Sequence, residues 1–243
     1  MVVLVLLAVT LVPAWAWIIL MARDMYGSMQ GPSAWMMTLV WDWPRVVLLW
    51  AMWAVMMAAM MLPAAAPILL LFAGSVRNRE PERAAAKTWL LASGYVLVWA
   101  LFSVGATALQ RGMARLFVLT PMMEPSTPAI GAALLVVAGL YQLTPLKRVC
   151  LRSCRSPLAF LTQHWRPGRM GALRMGIDHG LHCLGCCWAL MLLLFAGGVM
   201  NLTVILALTI WVLLEKLAPG GEQTARAAGV ALIGFAAWMY WAA

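Results

Sequence analysis

Six stretches of this chain run with hardly a charge: residues 2–21, 46–74, 88–110, 128–146, 183–217 and 224–243. Runs of that length constrain the fold before anything else does. Crossing the hydrocarbon of a bilayer takes ~20 apolar residues, and lipid offers backbone groups no partners, so each run reads as a helix. The stretch 183–217 would make a helix of ~52 Å at 1.5 Å per residue, too long for one crossing. Its Gly197-Gly198-Val199-Met200-Asn201 segment is the natural break and yields two spans joined by a tight turn. The expected fold is all-α, a polytopic transmembrane helical bundle of about seven spans forming a single domain over residues 1–243.

Composition agrees. Hydrophobic residues make up 65% of the chain and charged residues 10%, against ~25% charged in ordinary soluble domains. The formal net charge of +9 could suggest nucleic acid as a partner. The Lys and Arg residues, however, lie between the apolar runs, where anionic lipid head groups are the natural partners and nucleic acid is not. In a seven-span arrangement one face receives Arg77, Arg79, Arg83, Lys87, Lys147, Arg148, Arg152, Arg155, Arg166, Arg169, Arg174, Lys216 and Arg226. The other receives only Arg23, Arg45, Arg111 and Arg115 of the 17 basic residues. The positive-inside rule then puts the N-terminus inside and the C-terminus outside. Ala14-Trp15-Ala16 resembles a signal-peptidase site, but no basic residue precedes it and the apolar run continues beyond it. The first run is therefore expected to be a true span or a signal anchor.

Chemistry concentrates in two patches. In Asp178-His179-Gly180-Leu181-His182-Cys183-Leu184-Gly185-Cys186-Cys187-Trp188, the residues His179, His182, Cys183, Cys186 and Cys187 fall at i, i+3, i+4, i+7 and i+8. These positions share one face of a helix. A stripe that is ordinarily apolar is here made of imidazole and thiol, the donors suited to soft and borderline metals. The second patch, Cys150-Leu151-Arg152-Ser153-Cys154, places two thiols at i and i+4. Packing alone and thiol redox chemistry are the competing readings, since a cysteine also behaves as a small hydrophobe. Adjacent Cys186 and Cys187 are expected to point apart, which makes Cys183 with Cys186 the better redox pair. His164 reads as an interfacial residue.

Methionine is the other excess, 19 residues in all. Met52, Met56 and Met60 form an i, i+4, i+8 ridge with Met57 and Met61 beside it, ahead of Pro63 and Pro67. Thioethers at Met57, Met60 and Met61 beside a proline kink could pass Cu(I) along the span, while Met also simply fills irregular space. Further methionines, Met25, Met29, Met36, Met37, Met122 and Met123, are expected in the outer loops. Asp42 between Trp41 and Trp43 reads as part of an aromatic belt. Glu215 ends the sixth span beside Lys216 and is expected to approach His179 or Asp178 as an oxygen ligand or a partner of a ligand.

Three blocks of sequence are similar to a known family. They are Ala58-Ala59-Met60-Met61-Leu62-Pro63 with Pro67; Tyr141-Gln142-Leu143-Thr144-Pro145-Leu146-Lys147 through Cys150, Cys154, Arg155, Ser156 and Pro157; and His179-Gly180 through Cys183-Leu184-Gly185-Cys186-Cys187-Trp188, Phe195-Ala196-Gly197-Gly198 and Glu215-Lys216. Together they resemble a bacterial family of predicted metal-binding integral membrane proteins, a domain of unknown function. The resemblance implies metal binding through these residues in a multi-pass protein of the bacterial inner membrane. Thiolate, thioether and imidazole together favour copper as Cu(I), with zinc possible through Cys and His alone. A membrane thiol oxidoreductase or metal-dependent oxidase, and an accessory subunit of a larger membrane complex, remain the alternatives.

Overall fold

The computed structural model of the chain describes residues 2–27, 41–120 and 122–242. Met29, Met36 and Met37 fall outside them. The elements are α1 (Val2–Met25), α2 (Trp43–Arg79), α3 (Ala84–Arg115), α4 (Pro128–Leu143), α5 (Pro145–Arg155), α6 (Pro157–His164), α7 (Gly168–Gly197), α8 (Leu202–Leu217) and α9 (Gly221–Ala242). A single 3-10 turn, Pro81–Arg83, separates α2 from α3. Among the described residues there is no β-strand, only an isolated bridge between Leu119 and Pro125.

Helix boundaries follow local chemistry. Asp42 caps α2 by accepting from the Arg45 amide at 3.1 Å, with Pro44 following where its missing N–H costs nothing. Its role is a cap beside the tryptophans. Thr144 caps α5 in the same way, accepting from the Lys147 amide at 3.2 Å ahead of Pro145. The run 183–217 breaks where its glycines and asparagine direct. Gly198 takes a φ of +90°, open to glycine and strained for other residues. Asn201 then accepts from the Thr203 and Val204 amides at 3.1 and 3.4 Å to start α8. Helix α2 continues unbroken through Pro63 and Pro67. Helix α7 begins at Gly168, well before the apolar run that announced it, because Arg169, Arg174 and Asp178 interrupt the hydropathy without interrupting the helix.

Four helical stretches are long and apolar enough to cross a membrane, namely Val2–Met25, Trp43–Arg79, Pro81–Arg115 and Gly168–Gly197. The pair α4 and α5, bent by 67° at Thr144, would be a fifth if it is one broken span. Helix α8, at 16 residues, is shorter than the ~20 a perpendicular crossing takes.

The connections gather at two ends of the bundle. At one end, Arg79 stacks over Trp165, Phe72 packs on Trp165 at 5.7 Å, Arg152 pairs with Glu222 at 2.6 Å, and Val2 and Val3 share a hollow with Arg77 and Ala84. There too Lys87 donates to Glu80 at 2.7 Å, which holds the Glu80 carboxyl below its usual range. At the opposite end Tyr26 meets Glu124 at 3.3 Å, beside the Gly198 turn. Met25 and Met123, expected in open loops, are instead buried at 0% and 3% exposure.

Between the ends, glycines bring helices into backbone contact. A Cβ on Gly176 of α7 would strike the Leu91 backbone of α3, and one on Gly94 of α3 would strike the Leu173 carbonyl. A Cβ on Gly180 would sit 2.9 Å from Val98. In lipid such small-residue seams supply the packing that the hydrophobic effect supplies in water. This seam fixes the face of α7 that carries the cysteines.

Candidate metal centre

The two cysteine patches meet. Cys154 on α5 and Cys186 on α7 place their sulfurs 3.8 Å apart, and Cys186 and Cys187 place theirs 3.3 Å apart. All five cysteines are free thiols, and Cys154, Cys183, Cys186 and Cys187 are buried. Cys150 lies one turn away and rests on Gly185, where a Cβ would fall 2.7 Å from its sulfur. The expectation that Cys186 and Cys187 point apart is corrected. One residue along a helix turns the Cβ by about 100°, yet the two sulfurs lie 3.3 Å apart. The side chains of Cys183 and Cys186, the expected pair, are close enough to interact, and the Cys186 thiol also donates to the Cys183 carbonyl at 3.2 Å.

Cys183 also faces two side chains that no spacing announced. The Tyr95 hydroxyl, on α3, lies 2.9 Å from Cys183 Sγ and donates to the Met61 carbonyl at 2.9 Å. Lys216 Nζ, on α8, donates to Cys183 Sγ at 2.8 Å. A buried ammonium needs a strong acceptor to offset its lost hydration, and the sulfur serves as one. Glu215, next to Lys216 in sequence, turns away from it. Its Oε2 accepts from Lys147 Nζ at 2.6 Å, and its Oε1 accepts from Gln142 Nε2 at 2.6 Å and Trp211 Nε1 at 2.8 Å. Both members of the Lys147–Glu215 pair are 1% exposed. Glu215 therefore stands with α4, α5 and its own helix, rather than beside His179 or Asp178, and its oxygens are engaged. Asp178 pairs with Arg166 at 3.2 Å.

Of the histidines, His179 is buried, stacks on Tyr95 at 5.7 Å, and has no hydrogen-bond partner for Nδ1 among the described residues. His182 is half-buried, with Nδ1 2.8 Å from the Asp178 carbonyl. The methionine ridge of α2 is wholly interior. Met52, Met56, Met57, Met60 and Met61 are all at most 1% exposed. Tyr95 ties this helix, through the Met61 carbonyl, to Cys183.

The donor set suits a soft ion. Thiols from two helices converge in the buried interior, and a helix rich in thioethers runs alongside. Among the described residues, no group of three or more His, Cys, Asp and Glu side chains stands ready to enclose an ion. The thiols lie close in pairs, Cys154 with Cys186 and Cys186 with Cys187, and soft sulfur donors suit Cu(I).

Comparison with known proteins agrees with this chemistry. No curated protein matches the chain, and neither does any solved structure. The profile of the copper chaperone family PpoB2 matches residues 50–239, which include the methionine ridge, all five cysteines and all three histidines. By that match the chain belongs to the PpoB2 copper chaperone family.

Proposed function

We propose that this chain is an integral membrane protein that holds Cu(I) on Cys154, Cys186 and Cys187 and releases it to a partner. Cys183 and Cys150 flank these thiols, and His179 with the Met57, Met60 and Met61 thioethers would take part in passage. The observation that carries the reading is the 3.8 Å approach of Cys154 to Cys186 across two helices. Thiols brought together by tertiary structure, rather than by helical spacing alone, are what a soft-metal site requires. Glu215 serves the site as the counter-ion of Lys147, anchoring α5 and so Cys154.

The protein would cross the bacterial inner membrane about seven times with its N-terminus on the basic side. Supporting this, Val2 and Val3 sit at the end that gathers Arg77, Arg79, Arg152 and Arg166, and Met239 sits beside Gly131 at the opposite end. Anionic lipid head groups would meet the basic end, and a subunit of a larger membrane complex is the natural recipient of the ion. A thiol-redox reading is favoured by one observation, the 3.3 Å between Cys186 and Cys187.

The test is expression with equal copper and zinc, purification under reducing conditions, and elemental analysis of the parent and of Cys154→Ser and Cys186→Ser. Stoichiometric copper lost in both variants is expected. Zinc without copper, or copper indifferent to both substitutions, would overturn the assignment and turn attention to redox chemistry.

A further inference from the structure

The three histidines surround one buried phenylalanine. Phe160, 2% exposed, carries His164 stacked on its face at 4.5 Å and meets His179 at 5.1 Å and His182 at 5.9 Å edge-on. His164 and His182 are half-buried, and their ring centres lie 6.0 Å apart. His179 lies behind Phe160, stacked on the tyrosine that also touches Cys183.

The hydrogen bonds of the outer pair determine what the rings offer. His164 Nδ1 lies 3.2 Å from the Phe160 carbonyl and His182 Nδ1 lies 2.8 Å from the Asp178 carbonyl. A carbonyl can only accept, so each Nδ1 carries the hydrogen and each neutral ring leaves its Nε2 lone pair free. A backbone carbonyl fixing the tautomer in this way is the support that metal-binding histidines characteristically have. An ion sits ~2 Å from an imidazole nitrogen, and the ring centre is ~1 Å further, so two rings sharing one ion have centres roughly 5–6 Å apart. The observed separation lies at that upper end.

The two histidines come from different helices, and the turn between them is fastened. Arg166 pairs with Asp178 at 3.2 Å, its amide donates to Met175 Sδ at 3.4 Å, and Gly171 leaves room for the Arg166 backbone. His164 is thereby held over His182 at the basic end of the bundle.

We propose that His164 and His182 form a two-imidazole site where Cu(I) first docks, before it passes by way of His179 to the thiols at Cys183, Cys186, Cys187 and Cys154. The passage rests on the thiol reading given above; the imidazole site does not. Two nitrogen donors hold Cu(I) more loosely than thiolates do, which suits a site that must give the ion up. Phe160 stands between the outer pair and His179, and its displacement would open the way inward.

The test uses the full chain in detergent under reducing conditions, with Cu(I) competed against a chromophoric chelator. The variants are His164→Phe, which keeps a ring on Phe160, and His164→Gln, as a second check against misfolding. Each is made in the parent and in a form with all five cysteines, Cys150, Cys154, Cys183, Cys186 and Cys187, changed to Ser. The thiol-free form is expected to retain weak copper with a nitrogen-only X-ray absorption signature. Either His164 variant should weaken that copper by at least about tenfold, since losing a ligand costs no less than losing the outer partner of one. With thiols intact, the variants should reach the parent's copper content but load several-fold more slowly. Copper in the thiol-free form that ignores both substitutions, together with loading at the parent rate, would overturn the site. Should the parent bind no more tightly than the thiol-free form, the thiol reading fails. The nitrogen signature and its loss at His164 would then still support the imidazole site.

Discussion

Glu215 and Lys216 are neighbours whose side chains serve different helices. A one-residue step on α8 sends the carboxylate to Lys147 and the ammonium to Cys183. Removing one partner of a buried ion pair strands the other, at a cost of about 3–5 kcal/mol, whereas replacing both with apolar groups can be neutral. Glu215→Gln is therefore expected to lower the thermal midpoint in detergent markedly, and Glu215→Met with Lys147→Met to recover most of the loss. Equal midpoints for Glu215→Gln and the parent would mean that the pair does not hold α5 to α8. The contrast also shows what single residues disclose in advance. The cysteines and histidines of α7 were legible because helical spacing alone sets them on neighbouring faces. Tyr95, Lys216 and the closeness of His164 to His182 were not, because each depends on a contact between segments far apart in sequence.

At the scale of helices, the seam between α3 and α7 sets the register of Tyr95 against Cys183. Gly176→Ala would press a methyl group into the Leu91 backbone, and overpacking of this kind costs roughly 1–3 kcal/mol. The expected result is a lower unfolding midpoint and weaker retention of copper, as Tyr95 shifts away from the sulfur. Gly105→Ala is the control, since a Cβ there meets nothing within 4 Å and helix propensity favours alanine by about 1 kcal/mol. Unfolding midpoints for both variants, with copper content measured alongside, decide the matter. Similar losses in the two would remove the seam from the account. The helices themselves were largely readable: lipid-compatible runs located them, and Gly198 with Asn201 marked the break before α8. The sequence did not disclose the early start of α7, where charges lie on a helix that continues through them. Nor did it disclose the sharp bend at Thr144, which swings α5 round so that Cys154 meets Cys186.

For the molecule as a whole, basic connections gathered at one end are the basis of the proposed orientation in a membrane. Single cysteines introduced at Glu82 and Gly220 in a cysteine-free background should resist a membrane-impermeant thiol reagent applied from outside, and one at Ser126 should react. The reverse pattern would invert the proposed topology. The proposed orientation rests on charge alone. The proposed site was only half readable, because its candidate ligands are spread over α5 and α7, its supports over α3 and α8, and only folding brings them together. The measurement that bears most directly on the central claim is X-ray absorption at the copper edge on the Cu(I)-loaded protein, repeated with Cys154→Ser. A copper shell dominated by sulfur, losing sulfur when Cys154 is replaced, is the predicted result. A shell of nitrogen and oxygen alone, or a sulfur shell unchanged by the loss of Cys154, would contradict a site shared between α5 and α7.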